Sequence, residues 1–128
     1  RQRRLYAASF EHVHRNMELL EPGLSFLELM EKGFCYTPEL AEQNFTTIFH
    51  GLGLENEWPI IMSPDKLHIP GAYGGGYDGV LEAGMTLCIE SYAGETGGPD
   101  GVKLEEMVLI TETGAVPLGL TPYEEDWL

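Results

Sequence analysis

Three side chains that can bind a cation or move a proton stand where the surrounding pattern is apolar. His50 follows Ile48-Phe49 and precedes Gly51-Leu52-Gly53-Leu54, where glycine lets the backbone approach another group closely. Glu90 ends the run Leu87-Cys88-Ile89-Glu90, and Glu105 lies inside Val102-Lys103-Leu104-Glu105-Glu106-Met107-Val108-Leu109-Ile110. An unpaired carboxylate is costly to bury, so one in a sheet core implies a cation or hydrogen-bond donor beside it. Each residue also has a plainer use taken singly. A histidine before glycine serves as a loop residue, and a strand glutamate faces solvent, as either Glu105 or Glu106 must.

The elements that have to position these residues can be read from periodicity. Tyr6, Phe10, Val13, Met17 and Leu20 lie on one face of an amphipathic helix, with His12 and His14 beside that face and turned to solvent. Glu21-Pro22-Gly23 ends it. Ser25-Phe26-Leu27-Glu28 is a capping-box pattern opening a second, shorter helix toward Gly33, and Thr37-Pro38 starts a third, through about Thr46. Residues 56–80 are rich in proline and glycine, including Gly74-Gly75-Gly76, and read as loop and turn. No lysine-bearing helix follows that run, which argues against a phosphate cradle. Met85 to Tyr92 alternates as a strand, with Cys88 as a core residue, and Val102 to Thr111 is a second strand ending at a Glu-Thr-Gly turn. The Gly94-to-Gly101 connection suits a hairpin, which predicts antiparallel neighbours with Glu90 and Glu105 on one face. Helices lead and strands close, so the class is α+β, a single domain over 1–128 with no internal repeat.

Composition narrows the function. The chain has 43% hydrophobic and 22% charged residues, ordinary for a globular domain, and no apolar run long enough to span a bilayer. The opening Arg1-Gln2-Arg3-Arg4-Leu5-Tyr6 lacks a signal-peptide pattern. A net charge of −14 repels phosphate backbones and anionic lipid, so neither nucleic acid nor membrane is an expected partner. Two cysteines, Cys35 and Cys88, make neither a disulfide framework nor a zinc motif, and a cytoplasmic location is expected.

Taken in order, the blocks Phe49-His50-Gly51-Leu52-Gly53, Gly84-Met85-Thr86-Leu87-Cys88-Ile89-Glu90 and Gly101-Val102-Lys103-Leu104-Glu105-Glu106-Met107-Val108-Leu109-Ile110-Thr111-Glu112-Thr113-Gly114 resemble the closing motifs of the pita-bread metalloenzymes. That superfamily holds the prolidases, Xaa-Pro aminopeptidases, methionine aminopeptidases and creatinases. The first helix and Pro22-Gly23-Leu24-Ser25-Phe26-Leu27-Glu28-Leu29 resemble the family's preceding segment, so the likeness covers essentially the whole chain. It implies the C-terminal half of a pita-bread fold, with helices packed on a curved antiparallel sheet. By position it makes His50, Glu90 and Glu105 metal ligands and Glu90 the proton partner of an activated water. The implied cofactor is a pair of divalent ions, and the ligand types suit manganese, cobalt, iron or zinc alike. Two further aspartate ligands of the family belong to a hairpin upstream of the first helix. The chain is therefore expected to be a C-terminal fragment of the catalytic domain, inactive alone.

Two departures bear on substrate. The family's peptidases carry a second histidine where this chain has Glu57, which would have to be protonated to donate a hydrogen bond to a reacting carbonyl. The string from His50 to Pro59 is closer to dimethylsulfoniopropionate lyases of the same fold, whose aspartate base corresponds to Asn56, an amide that cannot abstract a proton. The expected function is a dinuclear-metal hydrolase resembling Xaa-Pro peptidases, cutting small peptides, with Glu90 and Glu57 as catalytic candidates. The alternatives are a same-fold lyase acting on dimethylsulfoniopropionate or a similar small substrate, and an inactive binding module. His68 is a candidate for the mouth of the site, and the aromatic loop from Tyr73 to Tyr77 for a pocket or a homodimer contact.

Overall fold

Residues Gln2–Glu18 form helix α1, Phe26–Lys32 α2 and Pro38–Ala41 the single turn α3. The structure, a computed structural model, describes residues 1–41, 47–66 and 79–128. Helix α2 starts as its capping box requires: the Ser25 hydroxyl accepts from the Glu28 amide at 3.1 Å, and the Glu28 carboxylate accepts from the Ser25 amide at 3.0 Å. The sequence pattern would carry α3 on to Thr46, but residues 42–46 lie outside the described residues.

Helix α1 buries a different stripe from the one its apolar spacing predicts. Leu5, Tyr6, Ser9, His12, Val13 and Asn16 are buried, whereas Phe10 and Met17 are only partly so. His12 is thus a core residue rather than a solvent-facing one. His14, also expected in solvent, is half-buried and stacked on Phe10 with ring centroids 3.8 Å apart. The reason is that the polar stripe meets matching partners. Ser9 Oγ donates to the Val102 carbonyl at 2.9 Å, and Asn16 Oδ1 accepts from the Phe34 amide at 2.8 Å. The Asn16 amide lies 3.2 Å from His12 Nδ1, and the His12 ring stacks on Tyr36 at 4.5 Å. Ser9 and Asn16, so paired, are buried at little cost, whereas His12 leaves Nε2 buried without a hydrogen-bond partner and is held by its stacking on Tyr36; periodicity of apolar residues alone registers neither.

Burial pushes the His12 pKa down to about 4, against the opposing influence of the Asp65 charge and the Phe34 backbone. The folded value lies below the ordinary 6.5, so the neutral ring contributes stability that is complete above 6.5. That stability is lost as pH falls toward 4, and the whole contribution is about 3 kcal/mol. Denaturant unfolding at pH 7 and pH 4.5 should show a deficit at the lower pH that shrinks in His12→Phe. An equal deficit in both proteins would assign the acid sensitivity elsewhere.

Five strands form one antiparallel sheet in the order β2-β1-β3-β4-β5: β1 Thr47–Leu52, β2 Asn56–Met62, β3 Thr86–Gly94, β4 Gly101–Thr111 and β5 Gly114–Pro117. Strands β3 and β4 match the expected hairpin. Strand β2 corrects the loop reading of its segment: Trp58, Ile60, Ile61 and Met62 suit a pleated surface, and Pro59 is accommodated because β2 lies at the sheet edge. A 3-10 turn, Pro64–Lys66, follows it. The rest of that segment, with His68, Tyr73, Gly74 to Gly76 and Tyr77, lies outside the described residues.

One face of the sheet carries Phe49, Leu87, Ile89, Val108 and Ile110 into a core closed by Val13 and Leu20 from the α1 segment and by Phe26 and Leu29 from α2. Alternation therefore sends His50, Cys88, Glu90, Lys103, Glu105 and Met107 to the opposite face. Along β4 this is plain, since Glu106, Val108 and Ile110 are buried and Lys103, Glu105 and Met107 are exposed.

Candidate metal centre

The centre is built by three adjacent strands. In register, His50 of β1 faces Cys88 of β3, and Glu90 of β3 faces Glu105 of β4. The strand β1 can lie tight against β2 here because Gly51 has no side chain: a Cβ at that position would come within 2.3 Å of the Trp58 carbonyl oxygen. The close approach foreseen from the glycines around His50 is thus an approach of the hairpin to itself.

His50 and Glu90 are both buried and touch, with Nε2 3.4 Å from Oε1. His50 Nδ1 lies 2.8 Å from the Gly51 carbonyl, which can only accept, so Nδ1 carries the hydrogen. In the neutral ring the Nε2 lone pair then faces a carboxylate oxygen, a repulsion that a cation between them relieves. The second oxygen of Glu90, Oε2, is buried and has no hydrogen-bond partner. An orphaned buried carboxylate oxygen beside an imidazole lone pair supplies two of the donors a divalent cation takes, so the residues present fit part of a metal site.

Glu105 completes the row less fully. It is exposed, and its carboxylate makes a close ion pair with Lys103, whose Nζ also lies 3.4 Å from Glu90 Oε1. Burial raises the Glu105 pKa, but the hydrogen bond and the charge of Lys103 outweigh it and hold the carboxyl below its usual range. For Lys103 burial opposes the charge, and contacts with Glu105 and Glu90 reverse that, raising its pKa. Among the described residues no three His, Cys, Asp or Glu side chains converge into a complete ligand set. Glu105 leans toward Lys103 instead.

The neighbours sort themselves by face. Cys88 lies beside this row, and burial, with the Glu105 and Glu90 charges adding to it, pushes its thiol up to about 12, so it stays protonated and unreactive. Glu106 points the other way. Its buried carboxylate accepts from the Gly119 amide and the Tyr123 hydroxyl, each at 3.1 Å. Glu57 is exposed on the β1–β2 hairpin, opposite Gly51, with its side chain lying where a Cβ on Gly53 would be. The structure thus brings His50, Glu90 and Glu105 to one face and leaves Glu57 at the hairpin. Asn56 takes its place at the start of β2. Lys103 was hidden in the sequence as one charge in a strand; its position two residues before Glu105, hence on the same face, is the signal that points to it.

Beside Glu105, a cleft of about 310 Å³ is lined by Tyr6, Cys88, Met107, Thr121 and Tyr123. It exists because β5 pairs only with Val108 to Thr111, so the earlier part of β4 is flanked by the tail after Pro117 rather than by a strand. The tail is fastened to α1, with the Glu124 amide donating to Tyr6 Oη at 2.7 Å and Trp127 meeting the Tyr6 ring edge-on at 5.4 Å.

The class of protein to which this fold and this row of ligand-type residues belong is a metallopeptidase family, as comparison with known proteins shows. The metallopeptidase family M24 matches residues 1–112, and the chain belongs to that family. It is 41% identical over 114 residues to the dimethylsulfoniopropionate lyase DddP of Roseovarius nubinhibens, covering 89% of this chain and 24% of the lyase. It is 33% identical over 129 residues to the Xaa-Pro dipeptidase of Pyrococcus furiosus, covering 97% of this chain and 33% of that enzyme. The solved prolidase from Pyrococcus horikoshii OT3 superposes with a TM-score of 0.68 at 28% identity, over 96% of this chain and 33% of that one. The chain therefore spans a quarter to a third of the length of the relatives it matches.

Proposed function

We propose that this chain is the C-terminal part of a catalytic domain that hydrolyses small peptides, of the Xaa-Pro type, with divalent metal. The observation that carries the metal reading is the buried pair of His50 and Glu90, in which Nε2 faces Oε1 at 3.4 Å and Oε2 has no hydrogen-bond partner. His50 through Nε2, with the carboxylates of Glu90 and Glu105, would hold the metal, and family resemblance makes it a pair of ions whose other ligands lie on an upstream hairpin. Manganese, cobalt, iron and zinc all suit such donors. When bound, such ions polarise a carbonyl and acidify water. The chain's own residues supply the rest. The Gly51 carbonyl fixes the His50 tautomer, and burial of Glu90 keeps water from competing for its oxygens. A carboxylate in that position can accept a proton from an attacking water and pass it on. The two free cysteines agree with a cytoplasmic enzyme.

A second reading, a lyase acting on dimethylsulfoniopropionate, is favoured by the identity with DddP. Against it stands Asn56, since an amide has no useful basicity near neutral pH. The intact protein, loaded with manganese or cobalt, should cleave Xaa-Pro dipeptides measurably and release little dimethyl sulfide from dimethylsulfoniopropionate. Robust lyase turnover without peptide cleavage would reverse the order of the two readings. Metal bound with neither activity would make the protein a binding module.

A further inference from the structure

Glu90 and Glu105 are directly opposed on adjacent strands, and like charges in that arrangement repel. The repulsion is worse here because Glu90 is buried, where water screens it little. The chain answers it from within β4. Lys103, two residues before Glu105 on the same face, reaches Glu90 Oε1 at 3.4 Å and pairs closely with Glu105 Oε1. His50 Nε2 faces that same Glu90 oxygen at 3.4 Å. Lys103 therefore sits against both carboxylates that the metal reading assigns to the cation. An ammonium and a divalent ion held by the same two carboxylates lie close enough to repel each other strongly, and Glu90 is buried where water screens that repulsion little.

Resting on the metal reading above, we propose that Lys103 is a resident counter-cation: it holds Glu90 and Glu105 together in the metal-free protein and is displaced from them as metal binds. Loading is then an exchange of one cation for another. The lysine stabilises the empty site and at the same time weakens the affinity of that site for metal. A structural lysine that merely braced the ligands would act in the opposite sense, and its loss would weaken metal binding.

The test uses the intact protein stripped of metal by chelation and titrated calorimetrically with Mn2+ alone. Lys103→Gln should bind Mn2+ at least about threefold more tightly than wild type, the scale of a partly exposed ion pair. Its metal-free form should melt lower, so that the gap between metal-free and loaded melting temperatures widens. Lys103→Arg, which keeps the charge, should stay near wild type in both. A second measurement needs no variant. Acetylation of Lys103 in the wild type, followed by mass spectrometry with Lys32 as internal control, should quicken several-fold when Mn2+ saturates the site. Mn2+ affinity that is unchanged or weaker in Lys103→Gln, or Lys103 acetylation that is unchanged or slower with Mn2+, would overturn the exchange while leaving the metal reading intact. A folded wild type that binds no Mn2+ would overturn the metal reading and the exchange with it.

Discussion

Replacing His50 by alanine in the intact protein is expected to lower metal content and turnover together, by about a hundredfold or more in activity. The ring is buried, its Nδ1 hydrogen is committed to the Gly51 carbonyl, and Nε2 faces Glu90 at 3.4 Å. Strand β1 carries no other His, Cys, Asp or Glu, so the lost donor has no substitute on that strand. Glu90→Gln should behave alike while keeping the side chain's shape, because an amide is a poor metal ligand and cannot take a proton from water. Glu57→Gln, at the exposed hairpin, should leave metal content unchanged, and its effect on turnover isolates whatever the hairpin contributes. Metal analysis of the purified variants decides the matter. Wild-type stoichiometry with wild-type turnover in His50→Ala would refute the ligand assignment, provided circular dichroism shows both proteins folded.

Glu106→Ala is expected to cost about 3 kcal/mol of stability, since two hydrogen bonds to a buried carboxylate are lost and their donors are stranded. Those donors are the Gly119 amide and the Tyr123 hydroxyl, both on the tail that packs over α1. Glu106→Gln can still accept from Gly119 and meet Tyr123, so it should cost about 1 kcal/mol. Urea unfolding measures the difference, and limited proteolysis should show the tail after Pro117 cut faster in the alanine variant. Glu105→Gln should show the reverse profile, with metal content falling and stability little changed. If the two neighbours gave the same profile, the opposite-face assignment of this acidic pair would be wrong.

That acidic pair shows where sequence reasoning reaches its limit. Alternation in Val102 to Thr111 establishes that Glu105 and Glu106 point to opposite faces, and the hairpin between the two strands puts Glu105 opposite Glu90. These follow from local rules: a period of two, and a short glycine-bearing connection. The class of fold, the cap of α2, the pairing of β3 with β4 and the ordered motif blocks were legible for the same reason. What Glu106 does with its buried carboxylate was not legible, because its partners stand 13 and 17 positions away on a tail with no periodicity of its own. His12 reads as solvent-facing beside the apolar stripe, and only the segment at Phe34 to Tyr36 folding against α1 makes it core. Strand β2 was unreadable from its proline and needed an edge position to be allowed. The row of cation-binding residues divides in the same way. Residue type and register belong to the sequence, since they need only the strand and its neighbour. The orphaned Glu90 oxygen, the His50 tautomer and the intrusion of Lys103 belong to the tertiary structure, since each depends on which atoms of distant residues exclude water from the same few cubic ångströms.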